Sequence, residues 1–133
     1  MFRFDPKHKF NNKKMETPDG TFDSKGEWER WLFLKEAQKN GQISDLRRQV
    51  KYTLIPTQYR TEIVHLKTKD KEVQRVAEHE ISYKADFVYE KNGETVVEDF
   101  KGFPNDRWPY VKKMMLFFHG IAIREVKKPT API

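Results

Sequence analysis

Apolar residues recur along the chain with two different periods, and the period of a segment predicts whether it forms a helix or a strand. Residues 24–41 have helical spacing with one broad apolar side, formed by Trp28, Trp31, Leu32 and Leu34. Ser24 can cap the start of this helix, Lys39 lies in its last turn and Gly41 can end it in a left-handed conformation. These signals predict a first helix that packs against a core.

A second helix is predicted near the end of the chain. Its apolar residues fall at i, i+3, i+4 and i+7, and they are Val111, Met114, Met115 and Phe118. This spacing places all four on one helix face. Pro109 suits the first turn of such a helix and Gly120 suits its end, so we expect the helix to lie between them.

Most of the other apolar residues lie in segments with the alternation or composition of strands. These segments are residues 49–56, 61–68, 72–90, 94–102 and 121–126. Asn92 and Gly93 predict a two-residue hairpin turn, because both central residues of a type I′ turn have positive φ. The order of elements predicts an α/β fold, with a mixed and mainly antiparallel sheet flanked by helices.

The length of 133 residues and the hydrophobic content of 37% allow one compact core. We predict a single domain over residues 22–126, a basic N-terminal arm over residues 1–21 and a flexible tail over residues 127–133. One local turn is expected in the arm, at Pro18-Asp19-Gly20. The arm is either a poorly ordered terminus or a segment that contacts DNA.

The charge balance favours a polyanionic partner. The chain has 26 Lys and Arg against 20 Asp and Glu, a net charge of +6. It has no cysteine, which excludes disulfides, thiol catalysis and thiolate metal sites. No apolar run approaches the roughly 18 residues of a membrane span, and no signal peptide is visible, so we expect a cytoplasmic protein without a membrane partner.

The Asn92-Gly93 turn predicts which charged residues meet across the hairpin. With a two-residue loop, the numbers of facing residues sum to 185, so Asp86 faces Asp99 and Lys84 faces Lys101. Strand alternation then gives one shared face, made of Lys84, Asp86, Val88, Val97, Asp99 and Lys101. The opposite face has Tyr83, Ala85, Phe87, Val96, Glu98 and Phe100.

Two facing aspartates repel each other unless something compensates their charge. Mg²⁺ is a natural compensation, since it prefers oxygen ligands and often uses one or two carboxylates with water and phosphate. Lys101, on the same face, could orient or activate a water, or neutralise charge on a phosphate. The alternative is a solvated ladder in which Asp86 and Asp99 pair with Lys84 and Lys101.

These residues resemble the PD-(D/E)XK nuclease superfamily, whose motif is an acid on one strand, a hairpin, and acid-any-Lys on the next. Here the motif reads Ala85-Asp86-Phe87, then Asp99-Phe100-Lys101, with Ala85 where a proline is expected. Residues 20–126 resemble more narrowly a small phage-encoded family related to archaeal-type Holliday junction resolvases. That similarity is carried by FDSKGEWERWLFLKEAQKNGQISDLRRQ, YKADFVY and VVEDFKG.

The resemblance implies a restriction-endonuclease-like core and a Mg²⁺-dependent endodeoxyribonuclease, with Mn²⁺ able to substitute. It implies metal ligation by Asp86, Asp99, Glu27 and the backbone carbonyl of Phe100, with Lys101 positioning water. The implied substrate is branched DNA, such as a four-way junction, in phage DNA recombination. A junction-cutting enzyme would act as a homodimer in the host cytoplasm.

Three polar residues near the motif have more than one interpretation. Glu27 is either a metal ligand or the glutamate of a capping box that begins at Ser24. Gln49 is either a helper that orients water or substrate, or a plain strand-edge residue. Strand alternation places Glu98 on the opposite face from Asp99, either as a pairing residue or as a residue that supports the site from behind. A register slip would exchange the two acids, and Asp99 is preferred because only it has a lysine two positions later. His65 and His79 are interpreted as structural or exposed.

Basic residues around the acidic motif are candidates for phosphate contacts, since carboxylates alone would repel the DNA backbone. The candidates are Arg47, Arg48, Lys84, Arg107, Lys112 and Lys113. Two other functions remain open. One is a nucleic-acid-binding protein that has a nuclease fold and does not cut, and the other is a structural or regulatory phage protein.

Overall fold

The computed structural model describes residues 14–101 and 105–133. Eight strands and two helices occur in this part of the chain. They are β1 (Met15–Thr17), β2 (Gly20–Phe22), α1 (Lys25–Lys39), β3 (Ser44–Ile55), β4 (Gln58–His65), β5 (Asp70–Glu78), β6 (Ile81–Lys91), β7 (Glu94–Phe100), α2 (Trp108–His119) and β8 (Arg124–Val126). Within the described residues, no helix is long and apolar enough to cross a membrane.

The main sheet has four strands in the order β3-β6-β7-β8. The first three pair antiparallel, and β8 pairs parallel with β7. Leu34 and Ala37 of α1 pack into one hydrophobic cluster, whereas Val111 and Met115 of α2 pack into another with different sheet residues. The prediction of an α/β fold with a mixed, mainly antiparallel sheet flanked by helices is therefore confirmed.

Helix α1 begins and ends where the sequence predicts. The Ser24 hydroxyl accepts a hydrogen bond from the Glu27 N–H, and Asn40 and Gly41 (φ 77°) end the helix. Three of its four predicted apolar residues contact the core, since Leu34 is buried and Trp28 and Trp31 pack against the same cluster. Leu32 is 41% exposed. The buried residues also include Ala37 and two charged residues, Glu27 and Arg30, which the apolar pattern did not predict.

Helix α2 also has the predicted position, with Gly120 left-handed after its last turn. Trp108, Val111 and Met115 are buried, whereas Phe118, predicted to share their face, is 52% exposed. The prediction for Phe118 was wrong because the buried stripe of α2 is narrower than the i, i+3, i+4, i+7 set.

The segment predicted as one strand over residues 72–90 forms two strands, β5 and β6, which belong to different sheets. Strands β4 and β5 pair with each other in a separate two-stranded sheet. The last strand is shorter than the predicted 121–126, since β8 contains only Arg124–Val126.

The two ends of the chain have more structure than composition suggested. Within the predicted N-terminal arm, β1 and β2 form a hairpin around Pro18 and Asp19, whereas residues 1–13 of the arm lie outside the described residues. The predicted flexible tail makes defined contacts, because the carbonyls of Pro129 and Ala131 accept hydrogen bonds from Arg30.

Candidate active site at the end of the central hairpin

The β6–β7 hairpin has the predicted register. Lys91 faces Glu94, Val88 faces Val97 and the pairing continues to Phe87 opposite Glu98. Asp86 and Asp99 are the next residues on the two strands, at the point where this pairing ends. The hairpin therefore brings the two aspartates together, although they are not themselves a backbone pair.

The predicted alternation along β6 fails at Asp86, next to Phe87, the last residue of β6 that pairs with β7. Tyr83 and Ala85 pack with Val88 and Val97 on the α2 side of the sheet, whereas Phe87 packs on the α1 side. On β3, Gln49 has a φ of 55° and interrupts the pairing with β6 opposite Asp86. The strict two-residue period that placed Tyr83, Ala85 and Phe87 on one face was therefore wrong, because the strands are irregular at the candidate site.

Asp86 is the most perturbed acid of the site. Its Oδ2 accepts a hydrogen bond of 2.8 Å from the Phe100 backbone N–H. Burial, followed by the charges of Asp99 and Glu27, raises the pKa of Asp86 to about 8. The hydrogen bond from Phe100 acts in the opposite direction and does not compensate. Asp86 is thus partly desolvated and lies near other carboxylates, without enough nearby positive charge to keep its pKa at the ordinary value.

Asp99 is half-buried and lies on the α2 side of β7. Its Oδ2 accepts a hydrogen bond of 2.8 Å from the Tyr83 hydroxyl. Tyr83 is buried, and burial together with the charge of Asp99 raises the pKa of that tyrosine. Tyr83 consequently stays protonated and donates to one oxygen of Asp99.

Glu27 approaches the aspartates from the N-terminus of α1. Its two carboxylate oxygens accept hydrogen bonds from Gln49 Nε2 and from the Asp23 N–H, both at 3.3 Å. Burial, followed by the charge of Asp23, raises the pKa of Glu27, and Asp99 contributes in the same direction. Glu27 thus supports the helix start and also forms an acidic cluster with Asp86 and Asp99, so its two interpretations are compatible.

Gln49, left open between a helper and a strand-edge residue, contacts Glu27 through its side-chain amide. Its left-handed backbone is uncommon for a residue other than glycine, and such conformations concentrate at functional sites. The sequence has no signal for this conformation, which occurs where the pairing of β3 with β6 is interrupted opposite Asp86.

Lys101 comes directly after β7, and its backbone conformation is also left-handed (φ 68°). Its N–H donates to the Val126 carbonyl, its side chain is exposed and its ammonium lies 5.9 Å from the centre of the Phe100 ring. The prediction that Lys101 follows the alternation of the strand was wrong, because β7 ends at Phe100. Lys84 faces Lys51 of β3.

Glu98 lies in a different environment from its neighbour Asp99. It is fully buried and forms a bidentate ion pair with Arg30, with distances of 2.9 and 2.8 Å. The Tyr89 hydroxyl donates to it, and Arg124 lies 3.5 Å away. Sequence reasoning placed Glu98 on the other face but missed Arg30, whose only signal was its i, i+3 spacing from Glu27.

Several of the predicted phosphate-binding residues make contacts within the protein. Arg48 stacks on the Phe22 ring at 3.8 Å and donates to the Thr21 carbonyl. Lys112 lies 3.5 Å from Glu125. These two are the least available of the six candidates.

The other four candidates are exposed. Arg47 lies 3.4 Å from the exposed Asp45, and Arg107 donates to the Ser82 carbonyl. Lys84 and Lys113 also have exposed side chains. Among the histidines, His65 contacts Asp70 within the β4–β5 hairpin, which forms a sheet separate from that of Asp86 and Asp99.

The acidic cluster can be compared with the needs of a metal ion. Among residues 14–101 and 105–133, no three Asp, Glu, His or Cys side chains are arranged so that they could hold one ion together. Mg²⁺ often needs only one or two carboxylates, the rest of its shell being water and phosphate. Burial and repulsion by Asp99 and Glu27 raise the pKa of Asp86. A divalent cation would offset both effects by favouring the ionised carboxylate, so the donor set fits.

Comparison with known proteins identifies a family whose function is unknown. The model of a family described as a protein of unknown function (DUF1064) matches residues 7–128. A search of curated proteins and a search of solved structures each found no match.

Proposed function

For this chain, which belongs to the DUF1064 family of unknown function, we propose the activity of a metal-dependent DNA endonuclease. The observation that carries the proposal is the convergence of Asp86, Asp99 and Glu27, which come from β6, β7 and α1. Burial, followed by the charges of Asp99 and Glu27, raises the pKa of Asp86 to about 8. Perturbed acids from several elements are typical of functional sites.

In the proposed reaction, Asp86 and Asp99 would hold the metal together with the Phe100 carbonyl and water, and Glu27 would accept a hydrogen bond from a water of the metal's shell instead of serving as a third direct carboxylate. Bound Mg²⁺ would supply Lewis-acid stabilisation of the phosphate and lower the pKa of a water. Tyr83 keeps Asp99 oriented through its hydroxyl, and Gln49 does the same for Glu27.

Lys101 acts at the phosphate in this proposal. Lys101 comes two residues after Asp99 and its side chain is exposed. Its backbone is left-handed, and its N–H donates a hydrogen bond to the Val126 carbonyl of β8. An ammonium group there orients the attacking water and stabilises negative charge on the phosphate.

The resemblance to PD-(D/E)XK nucleases and junction resolvases extends the proposal to substrate and assembly. The substrate is branched DNA, and a homodimer cuts two opposed strands. The net charge of +6 supports an interaction with a polyanion. The protein acts in the cytoplasm of the cell that the phage infects.

A second candidate function is nucleic-acid binding without cleavage. The observation that favours it is that no three-ligand metal group is formed among the described residues. Both candidates predict DNA binding, so only cleavage separates them.

The test is cleavage of labelled junction, flap, duplex and single-stranded DNA with Mg²⁺ or Mn²⁺. We expect Asp99→Asn and Lys101→Ala to lower the rate by about 100-fold or more. Glu94→Gln, which neutralises an exposed acid at the other end of β7, is the matched control and should cut like wild type.

Two results would contradict the proposal. Wild type that shifts DNA in a gel but cuts no substrate would favour binding without cleavage. Equal rates for wild type and Asp99→Asn, with similar melting temperatures, would remove the carboxylates from the reaction.

A further inference from the structure

Helix α2 has an aromatic face that no other described element covers. Phe117 is 81% exposed, Tyr110 is 62% exposed and Phe118 is 52% exposed. Tyr110 and Phe117 are seven residues apart, so they lie two turns apart on the same side, separated by about 10 Å along the helix axis. Phe118 touches Phe117 edge-on, with ring centres 5.0 Å apart.

The charges around this aromatic face are mainly positive. Helix α2 contains no acidic residue. Lys113 is exposed between Tyr110 and Phe117, and Arg107 precedes the helix; the nearest acid along the chain is Asp106, in the turn before it. Exposed rings that alternate with cations match a strand of unpaired nucleotides, in which bases stack on rings and phosphates contact ammonium groups.

The N-terminal end of α2 lies next to the acidic cluster. Trp108, the first residue of α2, has its ring centre 5.8 Å from that of Tyr83, which donates to Asp99. Trp108 also donates to Glu125, and Glu125 is the register partner of Asp99 on β8. The buried side of α2, to which Trp108 belongs, therefore faces the acidic cluster, whereas Tyr110 and Phe117 lie on the opposite side of the helix. A strand on the exposed side would have to pass around the N-terminal end of α2 to reach Asp99.

We propose that Tyr110, Lys113 and Phe117 of this face bind single-stranded DNA, with bases stacked on the two rings. Delivery of that strand to Asp86 and Asp99 rests on the proposed nuclease function, whereas the binding itself does not. A duplex is a poorer ligand, since its bases are already stacked on each other. A second copy of the chain is also a poorer occupant, because a symmetric contact would bring the cations of both copies together.

The experiment is fluorescence anisotropy with a labelled 15-nucleotide poly-dT strand and a duplex of the same length, in EDTA so that nothing is cut. We expect Phe117→Ala and Tyr110→Ala each to weaken binding of the single strand about 10-fold. Duplex affinity should change less than about 2-fold. Phe117→Tyr, which retains a ring, should bind like wild type.

Leu116→Ala is the matched control, because Leu116 is a 56% exposed apolar residue of the same helix that lies on a different side. It should leave both affinities unchanged. Unchanged binding of the single strand by Phe117→Ala, or an equal loss for both DNAs, would overturn the proposal. Conversion of a dimer to a monomer by Phe117→Ala, measured by light scattering, would assign the face to self-association instead.

The proposed binding face and the proposed nuclease can fail separately. If Phe117→Ala loses single-strand affinity while wild type cuts no DNA, the binding face stands and the nuclease function does not. If wild type cuts DNA and Phe117→Ala binds poly-dT normally, the nuclease stands and the binding face is wrong.

Discussion

At the scale of single residues, the raised pKa of Asp86 shows that its ionised carboxylate is unfavourable in the acidic cluster of the protein alone. Burial and the charges of Asp99 and Glu27 raise its pKa from an ordinary 3.8 to about 8. Between these two values the folded protein holds a proton that the unfolded chain has released. This proton's contribution to stability is complete below about pH 4, and it is lost as the pH rises through about 8.

The substitution Asp86→Asn should therefore change the pH dependence of stability. The asparagine oxygen can still accept the hydrogen bond from the Phe100 N–H, but no charge develops. We expect the variant to exceed wild type in the free energy of unfolding by on the order of 1 to 3 kcal/mol near pH 8.5 without metal, and by much less near pH 4. Thermal melts across this pH range measure the difference.

The control for Asp86→Asn is Asp106→Asn, which neutralises an exposed acid outside the cluster. Its stability difference from wild type should not change between pH 4 and 8.5. A difference for Asp86→Asn that stays constant with pH would show that Asp86 is ordinarily ionised and that the cluster is looser than the structure places it.

At the scale of elements, the contact between α1 and β7 positions Glu27 relative to the aspartates. Gly26 lies against the Phe100 ring, where an added Cβ would come within 2.9 Å of Cε1. Phe100 is also the residue between Asp99 and Lys101. The absence of a side chain at Gly26 thus lets the N-terminus of α1 approach the motif strand closely.

The substitution Gly26→Ala should push α1 away from β7. We expect a loss of about 1 to 3 kcal/mol in the free energy of unfolding, despite the better helix propensity of alanine. If the proposed nuclease is correct, the rate of DNA cleavage falls as well, because Glu27 moves with the helix. Denaturant unfolding and the cleavage assay measure the two effects.

Phe100→Leu supplies the control for the Gly26→Ala experiment, since leucine lacks the ring atoms that an alanine methyl would meet. The double variant should be more stable than the sum of the two single effects predicts. Additive effects would mean that the Phe100 ring is not what excludes a side chain at position 26.

At the scale of the whole molecule, one buried arginine connects α1, the sheet and the C-terminal segment. Arg30 forms the bidentate pair with Glu98 of β7 and donates its remaining Nη1 to the carbonyls of Pro129 and Ala131. Ala131 and Ile133 also pack against the cluster on the α1 side. The segment 129–133 therefore completes the surroundings of a buried ion pair.

Removal of residues 129–133 should destabilise the whole domain. The truncation takes two acceptors from a buried guanidinium, and buried donors without partners are costly, so we expect a loss of about 2 to 4 kcal/mol. Chemical denaturation monitored by tryptophan fluorescence measures it. Thr130→Ala, at an exposed position of the intact segment, should have an effect below about 0.5 kcal/mol. A truncated protein as stable as wild type would show that Arg30 is satisfied without the segment.

Local signals along the chain were sufficient for much of this architecture. The cap at Ser24, the Asn92-Gly93 turn and the left-handed Gly120 depend on a few neighbouring residues, and the structure places all three as predicted. The hairpin register follows from the loop length, so the proximity of Asp86 and Asp99 could be predicted as well.

Tertiary packing decided the features that depend on distant residues. Arg30 and Glu98 are 68 positions apart, and neither residue predicts the other. The left-handed conformations of Gln49 and Lys101 break the alternation that sequence patterns assume. Spacing within a strand or helix is set by local backbone geometry, whereas the burial of a charge or the irregularity of a strand depends on what packs against it. The fold class and the proximity of Asp86 and Asp99 could therefore be predicted from the sequence. The burial and the neighbouring charges that raise the pKa of Asp86 could not.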